Sequence, residues 1–388
     1  MNIIVLINCY KSKPLNNQTM KNQRLVSLDA FRGLTIAFMI LVNNPGTWAN
    51  IYYPLRHAEW HGCTPTDLVF PFFLFIVGVS MYMAFGKFNH ELNSITLRKI
   101  GKRTFLIFLI GVLLNWFPFY HTNIGDLRIM GVLQRIALAY GVGALICLSI
   151  PIHRLFYIGI GILLFYWALL GFSVAENPFE LETNFARTID LMILGESHVW
   201  NGFGLAFDPE GLVSTIPAVV TVIAGYIVGW RIKTTENKDV LIKEMLFYGF
   251  IAMFAGWFWD KFFPINKALW TSSYVLYTAG IASIGLGMMI EIIDIQGRKR
   301  LIKPMIVFGT NPMFAYVLSG ILFSTLYYLV MWKDSDGNDI HATTWLYENI
   351  FQPIFGDLNG SLLYAISFVL VCWFFTWLLY RKKIFVKI

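Results

Sequence analysis

Asn43, Asn44, Arg56, His57, Glu59, His61 and Asp67 fall within a 25-residue stretch of a chain that is otherwise strongly apolar. They lie in the segment Ser27 to Phe75, SLDAFRGLTIAFMILVNNPGTWANIYYPLRHAEWHGCTPTDLVFPFFLF, where two apolar runs flank a polar loop. Pro45, Gly46, Pro54, Gly62 and Pro65 interrupt that loop, so it is not one continuous helix. A histidine such as His57 can act as a general base or a nucleophile. Glu59 and Asp67 are close enough in sequence to orient it. The plainer role for such a histidine is a helix cap at the membrane interface. Asn43 and Asn44 end the first apolar run. An asparagine amide there either donates to a developing oxyanion or caps the helix. Asp67 opens the second run and either orients His57 or caps that helix.

Other charges invite the same two-sided reading. His57 and His61 have the i, i+4 spacing of a metal pair, with Asp67 or His121 as a third ligand, but the Gly and Pro that follow interrupt the helix and no metal is expected. Arg32 and Arg135 lie inside apolar runs, where an arginine either neutralises a phosphate or pairs structurally. Asp29, three residues before Arg32, is a ready partner. Arg98, Lys99, Lys102 and Arg103 form one basic cluster, and Arg298 to Lys303 another. Each suits a polyanionic nucleotide, a lipid headgroup or a topology signal. No P-loop and no Gly-rich dinucleotide fingerprint is present, so ATP-driven transport and dinucleotide chemistry have no support. FDPEGLVSTIPAV and FPINKALWTSSYVL bring Asp208, Pro209, Glu210, Asn266 and Lys267 to the mouths of later spans, on the face expected to carry His57.

The elements that must position these groups are membrane helices. Of 388 residues 57% are hydrophobic and 14% charged, about half the charge of a soluble protein. Ten spans of about 20 residues are expected, near 28–45, 67–86, 103–120, 131–150, 155–173, 212–230, 246–262, 272–293, 305–332 and 360–380. The fold class is therefore all-α, a polytopic bundle of about ten transmembrane helices. A cytoplasmic segment at 1–26, with Met20 as an alternative start, precedes one domain at 27–388. With the N-terminus inside, 22 of the 30 basic residues fall on inner segments and 6 on outer ones. That asymmetry places both termini in the cytoplasm and the His57 loop on the far face. The net charge of +7 is thus a topology signal, and no nucleic-acid partner is expected. The long outer loops, 174–211 and 333–359, are acidic and suit a cationic or amine-bearing partner. Four cysteines without paired spacing imply neither a disulfide framework nor a zinc site.

SLDAFRG, the LVN containing Asn43, HAEWHGCTPTDLVFPFFLF, RIMGVLQRI, FDPEGLVSTIP, PINKALWTSSYV and FGTNPMFAYVLS, in that order, resemble the heparan-α-glucosaminide N-acetyltransferase family. The resemblance runs from about Leu25 over nearly the whole chain, and its look is that of the bacterial members. It implies transfer of an acetyl group from cytosolic acetyl-CoA, across the membrane, to the amine of a terminal glucosamine. The family's active histidine matches His57, and its catalytic asparagine matches Asn43. His61 is outside the family pattern. The expectation is a bacterial inner-membrane acetyltransferase with His57, Asn43 and Asp67 as catalytic residues. Arg98, Lys99, Lys102, Arg103 and Arg135 are the expected donor-binding residues. Expected partners are acetyl-CoA, an amino-sugar or glycan acceptor and membrane lipid, with a homodimer admissible. The alternatives are an amino-sugar transporter and an O-acetyltransferase of envelope polysaccharide.

Overall fold

The structure, a computed structural model, describes residues 25–172, 176–298, 302–333 and 335–386. The expected cytoplasmic segment at 1–26 lies outside these residues apart from its last two, as do Lys299, Arg300 and Lys387. The described chain is an all-α membrane bundle, with nine helices long and apolar enough to cross a bilayer among the described residues.

α1 (Val26–Asn43) and α2 (Val69–Phe85) flank the His57 loop. α3 (Ser94–Trp116) and α4 (Val132–Ser149) follow, then α5 (Ile152–Gly171). α3 is the third expected span, displaced toward the N-terminus. Asn93 caps it by accepting from the Ile95 and Thr96 backbone N–H groups, both at 3.0 Å. Its first ten residues carry Arg98, Lys99, Lys102 and Arg103, so the helix is long enough to span but too charged to count with the nine. That basic cluster stands on a helix, not on a connecting loop.

The first long loop is partly helical: α6 (Phe185–Leu194) lies within it. Asp190 on α6 accepts from the backbone N–H groups of Leu212 and Val213 at 3.0 and 3.1 Å, and so caps α7 (Leu212–Thr234). Burial pushes the Asp190 carboxyl up to about 6, although those backbone donors oppose the shift. α8 (Lys238–Trp259) and α9 (Ser272–Met289) pack as a pair, and α9 runs on through a π-helical turn to Ile295.

The ninth expected span, 305–332, is not one helix. It divides into α10 (Lys303–Thr310) and α11 (Pro312–Ser324). Pro312 cannot donate a backbone hydrogen bond, and Asn311 leaves helical geometry at φ −132° and ψ 52°. The second long loop is also structured. β1 (Met331–Lys333) and β2 (Asp339–His341) form a short antiparallel hairpin, followed by α12 (Ala342–Leu346) and α13 (Gln352–Phe355). α14 (Asp357–Arg381) closes the bundle.

Small residues let the central helices meet backbone to backbone. α2 and α7 cross at Gly78 and Gly225: a Cβ on Gly78 would lie 2.0 Å from the Val222 carbonyl oxygen, and one on Gly225 2.0 Å from that of Phe75. Gly225→Val therefore has to push two helices apart, a distortion of about 1–3 kcal/mol or more. The expected result is a clearly lower thermal midpoint for the detergent-solubilised protein. An unchanged midpoint would show that the two backbones do not approach this closely.

Candidate active site

The loop between α1 and α2 is fastened around one carboxylate. Asp67 is 1% exposed, and its Oδ2 accepts from the backbone N–H groups of Ala58 and Thr64, each at 3.0 Å. The Thr64–Asp67 capping box starts the turn that leads into α2, with Pro65 at its first position. The Tyr274 hydroxyl on α9 donates to the Asp67 backbone carbonyl at 2.5 Å. The carboxylate's other oxygen, Oδ1, lies 2.6 Å from His57 Nδ1. Asp67 thus caps the turn and also contacts the histidine. The His57 side chain is 37% exposed, so the pair has one dry partner and one open to a ligand.

His57 and Asp67 border a cavity of about 450 Å³. Asn43 lines it from the end of α1, and Trp48, Trp60, Trp200 and Phe203 form aromatic walls. The two asparagines at the end of α1 have parted. Asn44 is buried and donates to the Ile40 carbonyl at 2.7 Å, closing the helix. Asn43 is exposed toward the cavity, and among the described residues no intramolecular hydrogen bond engages its amide.

The other polar stretches converge here as well. Glu210 and Pro209, before α7, line the cavity, as does Arg128, before α4. Arg128 holds Asp208 at 2.9 and 2.7 Å and Glu210 at 2.6 Å. Burial alone would disfavour its charge, and the two carboxylates more than offset that. Lys267, in the loop between α8 and α9, lies against His57, with Nζ 3.0 Å from Nδ1 and 3.3 Å from Nε2. It also pairs with Asp67 Oδ1 at 3.6 Å. The sequence puts Lys267 at the same mouth but assigns it no role. Glu59 lines the cavity, but the carboxylate on His57 is that of Asp67. Burial and the nearby Asp67 push the Cys63 thiol up to about 12, so it stays protonated and is no nucleophile.

His61 turns elsewhere. Its Nε2 is 3.4 Å from Glu180, and its Nδ1 faces the Asn266 amide at 3.3 Å. The HxxxH pair is not brought together with Asp67 or His121 as ligands, and no cluster of three His, Cys, Asp or Glu side chains suits a metal among the described residues.

The arginines inside spans separate from the basic cluster. Arg32 donates to Asp29 at 3.1 Å, to the Gly309 carbonyl at 3.1 Å and to Ser80 at 2.5 Å, a structural clasp between α1, α2 and α10. Arg135, expected to bind the donor with Arg98, Lys99, Lys102 and Arg103, stands apart from them in the structure. It is fully buried near the start of α4, against Ser214 and 4.9 Å from the Trp270 ring. Enclosed there, it presents no open surface to a donor's phosphates. The α3 cluster itself is at the opposite end of the helices from His57. Arg98, Lys99 and Lys102 are exposed, Lys99 lies over Phe88 at 4.1 Å, and Arg103 over Tyr140 at 4.6 Å. The buried Nε of Arg103 has no hydrogen-bond partner among the described residues.

A sequence model described as "Heparan-alpha-glucosaminide N-acetyltransferase, catalytic" matches residues 24–255, more than half of the chain. The chain belongs to this family. Among relatives, the human heparan-alpha-glucosaminide N-acetyltransferase is 27% identical over 94% of this chain, and the mouse protein 26% identical over 94%. The chain spans 60% of the length of each of these relatives. Asn43, His57 and Asp67 all lie inside the matched stretch, whereas Lys267 lies beyond it.

Proposed function

We propose that this chain transfers an acetyl group from acetyl-CoA to the amine of a glucosamine-type sugar. The observation that carries this reading is the His57–Asp67 pair, 2.6 Å apart, on a cavity shared with Asn43 and walled by tryptophans. Asp67, already accepting two backbone N–H groups, accepts a hydrogen bond from the His57 Nδ1–H, which leaves the Nε2 lone pair to the ligand. His57 Nε2 accepts the proton of the acceptor amine as the nitrogen attacks the thioester carbonyl. A tetrahedral oxyanion forms and receives a hydrogen bond from the Asn43 amide. The C–S bond then breaks, CoA leaves as a thiolate, and the imidazolium returns its proton to sulfur. The same geometry serves a second route, in which Nε2 attacks the thioester first and passes the acetyl group to the amine afterward.

The donor's anionic end fits the exposed face of Arg98, Lys99 and Lys102 at the opposite end of the helices. With both termini in the cytoplasm, the donor enters from inside and the acceptor from outside, across a bacterial inner membrane. The aromatic walls suit the apolar face of a sugar ring.

Acetyl transfer from labelled acetyl-CoA to glucosamine by the purified protein tests the proposal. Labelled N-acetylglucosamine is the expected product. Labelled sugar crossing vesicles without acetylation would replace the reading with transport. Asn43→Ala removes one oxyanion donor, which typically costs about 2.7–4 kcal/mol. The expected outcome is a fall in kcat of about 10²–10³ with unchanged thermal stability, since Asn43 is exposed and Asn44 closes the helix. Near wild-type turnover would remove Asn43 from the chemistry.

A further inference from the structure

We propose that Lys267 is the third member of the His57 site: its ammonium keeps the imidazole in the neutral, proton-accepting form. This rests on the acetyltransferase reading for its use in catalysis, but not for its effect on His57. Lys267 Nζ is 3.0 Å from Nδ1 and 3.3 Å from Nε2. A cation nearly equidistant from both nitrogens lies over the ring rather than in its plane. It therefore exerts its charge on the imidazole without covering the in-plane Nε2 lone pair.

The loop that carries Lys267 is built to hold it there. The Gly62 N–H donates to the Ile265 carbonyl at 2.7 Å, which ties the loop to the His57 segment. Ile265 N–H donates to Asp260 at 2.6 Å, and the fully buried Asn266 accepts from the Leu269 N–H at 2.8 Å. The Lys267 carbonyl accepts from the Trp270 N–H at 3.1 Å. Its side chain is 23% exposed, too enclosed for a lysine serving only as a topology signal.

The charges around the ring explain why a cation is needed. Asp67 faces His57 from the start of the second span, Glu59 from its own loop, and Glu210 and Arg128 from the segments before α7 and α4. Arg128 is committed to Asp208 and Glu210. The charge against the ring itself is then Asp67, which favours the imidazolium, and a protonated imidazole cannot accept the proton of an amine. Lys267 supplies the opposing positive charge. The groups that face Lys267 in turn are Asp67, Glu210 and Cys63. Burial pulls the Lys267 ammonium below its ordinary range, and the two carboxylates pull it back. Because Lys267 acts through His57, it is a positioning residue and not itself a catalytic one.

Removing a positive charge beside the ring stabilises the imidazolium, so His57 deprotonates at higher pH and the acid limb of the pH–rate profile moves up with it. A unit charge at this distance is worth about one pH unit even at the dielectric of water.

The test follows His57 in the purified full chain by the pH dependence of diethyl pyrocarbonate modification, read by mass spectrometry of the His57 peptide, with His153 as internal reference. Lys267→Met is expected to raise the His57 midpoint by about one unit or more and to leave His153 unmoved. Lys267→Arg is expected to stay near wild type. Lys267→Gln replaces Lys267→Met if the latter does not fold. In acetyl transfer, Lys267→Met is expected to lose about tenfold in rate on the acid limb and to converge on wild type at high pH. A His57 midpoint that stays put, or moves down, in Lys267→Met overturns the proposal. A midpoint that rises in a protein showing no acetyl transfer in any form upholds the role of Lys267 and overturns the acetyltransferase reading.

Discussion

His57→Ala is expected to lose at least about 10³-fold in acetyl transfer and to keep its fold. The size is that of a general base removed from the transition state, about 10²–10⁴-fold. It is placed toward the upper end because, in the proposed mechanism, His57 Nε2 is the atom that either takes the amine proton or carries the acetyl group. Stability is spared because the side chain is 37% exposed and its hydrogen bond to Asp67 leaves that carboxylate two backbone donors. The loss also has a pH signature. Without the imidazole, residual activity tracks the free amine of the acceptor and climbs with pH, with no acid limb of its own. The 450 Å³ cavity has room for added imidazole, which should recover part of the rate. A variant with the wild-type rate and profile would leave the cavity without its base and sink the mechanism.

The spans were legible because they are composition. Long apolar runs bounded by basic loops are read directly from the chain, and nine of the ten expected segments are helices that meet the length and hydropathy a bilayer requires. The misjudged places are those where a local backbone group decides. Asn93 starts α3 nine residues before the apolar run is evident, and Pro312 cuts the ninth span within what reads as one stretch. Neither α6 nor the β1–β2 hairpin shows in hydropathy, since each is short and lies in a polar segment.

The site was legible in part. His57, Asp67 and Asn43 stood out as polar residues crowded at the ends of two apolar runs, and the structure gathers all three around one cavity. Arg135 is harder to read, because a charge inside a span signals only that something must satisfy it. Its contacts with Ser214 and Trp270 depend on how α4, α7 and the segment before α9 meet, which no local pattern reports, and its Nε and Nη1 have no hydrogen-bond partner among the described residues. Lys267 stands 210 residues from His57 in sequence, and only the closed bundle brings them to 3.0 Å. The signal that could have raised it was the density of polar residues in PINKALWTSS between two apolar runs, the same signal that marked the His57 loop.

Asp67→Asn separates the two duties of that carboxylate. The amide oxygen can still accept from the Ala58 and Thr64 N–H groups, each now at 3.0 Å from Oδ2, so the loop and the start of α2 keep their anchor. With the oxygen so committed, the amide nitrogen faces His57 Nδ1 and donates where the carboxylate accepted. The imidazole must then carry its proton on Nε2, the atom that has to accept one. A histidine held in the wrong tautomer costs up to about 10⁴ in kcat, and a loss of about 10²–10⁴ is expected here. KM for the acceptor should change little, since Asp67 is 1% exposed and its carboxylate is committed to His57 and the loop backbone. Asp67→Ala, by contrast, strips the loop of its anchor and should lower the thermal midpoint as well as the rate. If Asp67→Asn retains turnover within tenfold while Asp67→Ala unfolds early, Asp67 is a structural cap, and the proton on His57 is set by something else in the cavity.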